Sequence, residues 1–411
     1  MSTSLLYHGF GIKGYQYVNS HYEGGAITFT IRQSPFDFRC SSCGSARVVC
    51  KGKIIRRFRT LPIGRKPVWI VMAIQRVLCL SCGLVRQVKV RFADPRRSYT
   101  KAFERYALEL SRHMTILDVA RHPRLTGGQV GVSWDVIKEI QKRYLKRHYL
   151  RPKLKDLKYI AIDEITIGRG HQYLTIVLDL KTGAVVFVGE GKGSEALVPF
   201  WKRLNRSKAR IEAVAIDMSP AYIRAVKENL PHARIVFDHF HVIKLFNDKL
   251  DELRRKLYHN ATTALGKRVL KGIRWLLLKS PENLDENHNE YNRLNQALQL
   301  NQPLAIACYL KEDLRQLWRQ GTKTEADHFL DDWIAQAKGS GVPMLVKFAK
   351  TLSVYREGLL NYYDFPISNG PLEGTNNKIK TMKRQAYGFR DMEFFKLKIM
   401  AIHETRYALV G

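Results

Sequence analysis

No apolar run in this 411-residue sequence approaches the roughly 20 residues that a membrane-spanning helix needs. The N-terminus also lacks a cationic segment followed by an apolar core, so no secretory signal is expected. Together these point to a cytoplasmic, soluble protein with no membrane partner. Acidic residues are scarce as well: 37 Asp+Glu face 69 Lys+Arg, a formal net charge of +32. The deficit is concentrated, since residues 1–158 hold 31 Lys+Arg and 9 Asp+Glu. A basic N-terminal part on a milder body fits a polyanion such as DNA, whose neutralised phosphates supply affinity. A chain of this length is expected to form two to four domains.

Cysteines number only six. Four of them form two C-x2-C knuckles, Cys40/Cys43 and Cys79/Cys82, each followed by a glycine (Gly44, Gly83) that lets the backbone turn toward the thiolates. Two such turns supply the four soft ligands of one structural Zn2+. The 35 residues between the knuckles read as a hairpin turning at 64–67, which is how a zinc ribbon is built. Disulfides are the alternative, and a chain without a secretory signal argues against them. Cys50 and Cys308 lack a partner at ligand spacing and read as ordinary packing residues.

Residues 99–113 and 115–122 carry helical periodicity, and Ser133 caps a third helix at 134–150. Helix, short helix, turn and capped basic helix suggest a helix-turn-helix reader, with Ser133, Trp134, Asp135 and Lys138 leading into the major groove. Lys142 and Arg143 extend that basic face. A plain three-helix bundle is the alternative, and the turn at 123–132 is longer than usual.

From residue 158 the pattern changes to strands at 159–164, 173–180, 184–189, 211–217 and 234–238, with helices at 194–204 and 220–229. Three antiparallel strands followed by helix, strand, helix and strand is the order of a ribonuclease-H-like domain. It places Asp163 and Asp217 on neighbouring strands. A carboxylate at the end of a buried strand is costly unless paired, and a hard divalent cation is a common partner. Residues 240–363 read as helical. Within them Trp275, Trp318 and Trp333 are core residues or base-stacking residues. A basic helix then carries Glu373, Lys378, Lys380, Lys383 and Arg384; Glu373 and Lys380 lie seven apart, on one face. His241, after the strand ending at Asp238, either orients a phosphate or the nucleophile, or covers the sheet edge.

The segments RCSSCG, LCLSCG, GVSWDVIKEIQKRYL, YIAIDE, AIDMSPAYIRAV, VFDHFHVIKL and ISNGPLEGTNNKIKTMKRQAYGFR together resemble the DDE-type insertion-sequence transposases of the ISL-three family. The resemblance implies a multidomain α+β chain. It would comprise a zinc ribbon (1–95), a helix-turn-helix (96–152) and a ribonuclease-H-like α/β core (153–242 and 365–411), interrupted by a helical insertion (243–364). It implies catalytic Asp163, Asp217 and Glu373, supported by His241 and Lys380. The three carboxylates would hold two Mg2+ ions, with Mn2+ as a substitute. It implies a DNA transposase that binds terminal inverted repeats and target DNA, works as a homodimer or higher oligomer, and catalyses phosphodiester hydrolysis and strand transfer. A non-catalytic DNA-binding regulator and a plain nuclease are the rival readings.

Overall fold

The structure is a computed structural model, and residues 3–122, 132–168, 170 and 172–404 are described. The chain divides into two compact units, Met1–Arg151 with Lys378–Gly411, and Pro152–Asn377.

In the first unit, helix α1 (Thr3–Phe10) precedes strands β1 (Gln16–Glu23), β2 (Ala26–Arg32), β3 (Val48–Ile63), β4 (Lys66–Cys79) and β5 (Val85–Gln87). The sheet order is β1-β2-β4-β3, with β5 also on β4. The long β3–β4 hairpin is the expected one, with a tighter turn at residues 64–65. An unforeseen N-terminal hairpin extends its sheet, because β2 pairs parallel to β4 from Ile27↔Val68 to Ile31↔Met72. Val68, Ile70, Met72 and Ile74 alternate inward along β4 and meet Phe29, Phe58 and Phe92, so one face of the sheet makes this core. Three capped helices follow: α2 (Lys101–Leu110, cap Thr100), α3 (Ile116–Arg121, with a capping box from Thr115 and Asp118) and α4 (Trp134–Tyr149, cap Ser133). Phe103, Ala107, Val119, Ile137 and Ile140 pack them together. Residues 123–131 of the expected long turn lie outside the described residues. Helix α14 (Met392–Met400) adds Phe394 and Leu397 against Leu145 of α4.

The second unit is built on β6 (Tyr159–Gly168), β7 (Gln172–Asp179), β8 (Val185–Glu190), β9 (Ala213–Ile216) and β10 (Arg234–Phe237), in the order β10-β9-β6-β7-β8. The first three are antiparallel neighbours; β9 and β10 run parallel to β6. Residues 169 and 171, in the expected first turn of this sheet, are not among those described. Parallel strands need crossovers, which α5 (Ser194–Ser207) and α6 (Pro220–Asn229) provide. A helical body follows: α7 (His239–Asn260), α8 (Ala264–Gly272), α9 (Glu290–Gln299), α10 (Gln302–Leu314), α11 (Lys323–Gly339) and α12 (Pro343–Leu360). One apolar cluster runs from Ile162, Val214 and Phe237 in the sheet to Phe246, Trp333 and Phe348 in these helices. At Gly358 a Cβ would lie 2.3 Å from the Phe237 ring, so a bare backbone is what lets α12 approach β10. Helix α13 (Gly370–Gln385) closes the unit and runs on beyond it.

Candidate active site and zinc site

The Sγ atoms of Cys40, Cys43, Cys79 and Cys82 all lie within 4.8 Å of one another. Cys40 is 3.7 Å from Cys82 and Cys43 is 3.5 Å from Cys79. A sulfur tetrahedron around Zn–S bonds of about 2.3 Å has edges of about 3.8 Å, so the donor set fits zinc. Gly44 and Gly83 adopt φ of 78° and 71°, the left-handed turns that carry the chain around each knuckle. The amides of Cys43 and Ser42 hold the Cys40 thiol below its ordinary pKa. Burial would raise Cys79, but the amides of Cys82 and Ser81 bring it down to about 6. These two environments favour thiolate, the metal-binding form, whereas, against the Leu84 amide, burial and the neighbouring thiols Cys79, Cys43 and Cys40 push Cys82 up to about 12, a crowding of thiolates that a bound cation would relieve. Cys50 is exposed rather than packed, which corrects the expectation, because β3 is an edge strand there; Cys308 is half-buried against the core.

In the second unit the β6–β9 register brings two distant aspartates level. Ala161 pairs with Ala215, so Asp163 and Asp217 each sit two positions further along adjacent parallel strands. Ile216 pairs with Phe237, which puts Asp238 at the same level on the third strand. Burial pushes the Asp163 carboxyl up to about 6; the Glu164 amide and His241 oppose this, while the charges of Glu164 and Asp217 add to it. Asp217 is raised mainly by burial, against the Ser219 amide. Both are carboxyls whose charged form lacks a full complement of partners.

Helix α13 reaches this level from the far end of the unit. The Asn376 side-chain amide donates to Asp163 Oδ2 at 2.9 Å. Glu373, half-buried, is three positions earlier, hence on the same helix face. Asp238 braces the arrangement: one oxygen accepts from the Asn369 amide at 3.2 Å and the other contacts His241 Nδ1 at 3.0 Å. Burial lowers the His241 pKa, but Asp238, Asp163 and Asp217 together raise it above its ordinary value. Glu164, beside Asp163, accepts from Tyr222 Oη at 2.7 Å. Among the described residues the four cysteines are the one tight cluster of metal-ligating side chains; Asp163, Asp217 and Glu373 do not form a second one in this structure.

Family comparisons match all three regions. A zinc-finger family of the IS204/IS1001/IS1096/IS1165 transposases matches residues 37–82, and the helix-turn-helix domain of transposase family ISL3 matches residues 88–145. A transposase family matches residues 160–399, more than half of the chain. The chain belongs to the ISL3 family of transposases.

The transposase for insertion sequence element IS1001 of Bordetella parapertussis is 31% identical over 398 residues, 96% of this chain and 95% of that protein. The transposase for IS1557 of Mycobacterium tuberculosis is 29% identical over 377 residues, 86% of this chain and 82% of that one. The Drosophila P element transposase strand transfer complex aligns with 73% of this chain and 91% of its own at 12% identity, with a TM-score of 0.31, too low a likeness to carry an argument. The zinc-ribbon match and the cysteine geometry support a structural zinc in this transposase. No described helix is long and apolar enough to cross a membrane.

The residues expected to meet DNA divide into two groups. Ser133 and Trp134 are exposed at the start of α4. Lys138 and Lys142, in contrast, are bound to Asp391 at 3.0 and 2.9 Å, and Lys142 also to Glu393 at 2.8 Å. Arg143 pairs with Glu104. These three cations tie α4 to α14 and α2, so part of their charge is engaged within the protein. Their acidic partners are more than 35 positions away in sequence, which is why spacing did not reveal them. On α13, Lys380 and Arg384 are exposed, and Lys378 and Lys383 are half-buried. Asn376 and Asp238 were not singled out as site residues. The only local sign of Asn376 was its place one turn after Glu373.

Proposed function

We propose that Asp163, Asp217 and Glu373 are the metal-binding carboxylates of a DDE transposase and hold two Mg2+ ions, with Mn2+ able to substitute. The carrying observation is the strand register that levels Asp163 with Asp217 while Asn376, one turn from Glu373, bonds Asp163. Two half-buried carboxyls with raised pKa beside an incomplete set of cationic partners suit a divalent ion, which relieves both. On this reading 153–242 and 365–411 form a ribonuclease-H-like core, and 243–364 is a helical insertion within it. When bound, the ions lower the pKa of the attacking water and neutralise the leaving oxygen.

The chain's own residues set the stage. Asn376 fixes the orientation of Asp163. Asp238 holds His241 toward the two aspartates and anchors the start of α13. Lys380, two turns beyond Glu373, holds a backbone phosphate. Water cleaves the phosphodiester at the element's end, and the freed 3′-OH then attacks a target phosphodiester. The terminal repeats are read by the zinc ribbon and by the exposed Ser133–Trp134 end of α4, and two ends are synapsed by a homodimer or larger assembly.

The test is cleavage and gel shift on the same preparations of Asp163→Ala, Asp217→Ala and Glu373→Ala. Each is expected to abolish end cleavage and keep end binding. Substantial cleavage by any one of them removes that residue from the site. Joining of labelled element ends to target DNA separates a transposase reaction from plain nuclease cutting.

A further inference from the structure

The helical body contains a surface that the proposed chemistry does not use. Residues 253–281 hold eight Lys+Arg and no Asp or Glu. Within them α8 turns Leu270 inward, and Ile273 follows it into the core. Lys267 and Lys271 are four apart on α8 and share one side, with Arg268 adjacent and Arg274 in the turn that directly follows the helix. All four are exposed. Lys267, Arg268 and Lys271 have no ion-pair partner among the described residues, and Arg274 has only a long contact to Asp251 at 3.9 Å. The Arg274 guanidinium lies 4.7 Å from the centroid of the Trp275 ring, and Trp275 as a residue is 65% exposed. The other two tryptophans of this body behave differently: Trp333 is fully buried and Trp318 is packed against the core.

We propose that α8 and Trp275 form a second DNA-contact surface of the transposase, with the cations on backbone phosphates and the indole against a base. Several like charges left unneutralised on one face repel one another, and a polyanion removes that repulsion. A second copy of the chain would bring the same positive face and add to it. A flat aromatic ring under a guanidinium is the arrangement on which a nucleobase stacks. An acidic protein would satisfy the cations and leave the exposed indole without a role.

The proposal takes DNA as the polyanion from the transposase assignment, and its test reads binding rather than cleavage, so it stands or falls separately from the three carboxylates. Full-length wild type is compared with the triple variant Lys267→Gln/Arg268→Gln/Lys271→Gln and with Trp275→Ala. Dissociation constants for a random-sequence duplex and for an oligo-dT strand are measured across a salt series. The triple variant is expected to lower the slope of log Kd against log[salt] on duplex by about 2.7, near 0.9 per phosphate contact. Trp275→Ala is expected to weaken oligo-dT binding roughly ten-fold and leave the duplex slope unchanged. Lys267→Arg/Lys271→Arg should retain the wild-type slope. Unchanged slopes and affinities in both variants, or a change in oligomeric state without DNA, would overturn the proposal.

Discussion

The Asn376 side chain donates to Asp163 at 2.9 Å across 213 positions of sequence. It links the helix carrying Glu373 to the strand carrying Asp163, and it orients a carboxylate whose charged form burial disfavours. Groups that hold a ligating carboxylate in place are often worth 10- to 100-fold in activity. Asn376→Ala is therefore expected to slow end cleavage by roughly that range while end binding stays intact. Single-turnover cleavage beside a gel shift checks this; an unchanged rate would show that Asp163 is held without Asn376.

The zinc ribbon should bind one zinc per chain. Cys79→Ser removes a buried ligand and should release the metal and loosen the two knuckles, while the sheet core around Val68, Ile70 and Met72 keeps the rest of the β3–β4 hairpin folded. Cys50→Ser alters an exposed thiol outside the cluster and should leave zinc content at one. Elemental analysis with circular dichroism measures both, and zinc loss in the Cys50 variant would enlarge the ligand set.

Gly358→Ala places a methyl 2.3 Å from the Phe237 ring, at the join of α12 and β10. Overpacking of this kind costs about 1–3 kcal/mol, so the urea midpoint should fall without a change in slope. A stability equal to wild type would mean that α12 can shift outward freely.

Asp391 caps α14 through the Phe394 amide and takes both Lys138 and Lys142. The Lys142 bond, helped by Lys138, holds its carboxyl far below the usual range. A depressed folded-state pKa gives stability that is complete above the unfolded value, about 4, and is lost as pH falls below it. Asp391→Asn should therefore destabilise at pH 7 and narrow the gap to wild type as the pH drops below about 4. Asp391→Ala also loses the cap and should cost about 1–2 kcal/mol at pH 7. Urea melts at a series of pH values test the sign; a gap that widens toward acid would contradict it.

Local chemistry made part of this molecule legible in advance. A thiol pair followed by glycine needs only its own turn to be recognised, and the structure keeps both turns. The helix cap at Ser133 is likewise decided within three residues, because its side chain bonds the Val136 amide one turn ahead. Apolar runs ending at Asp163 and Asp217 marked the two strands, since burial of a strand is written in its own residues. Long-range pairing is not so written. Only the parallel register of β6 and β9 levels the two aspartates, and only the packed position of α13 gives Asp163 its bond from Asn376. The same holds for the cations of α4: on a helix drawn from sequence Lys138, Lys142 and Arg143 form a basic face, but Asp391, Glu393 and Glu104 arrive from distant segments and engage them. Trp275 and Trp333 are chemically identical, and the tertiary packing of the helical body left one in water and buried the other. Sequence determined the elements and the residue types that chemistry requires; tertiary structure decided which of those residues meet, because burial and ion pairing depend on neighbours that the local chain does not contain.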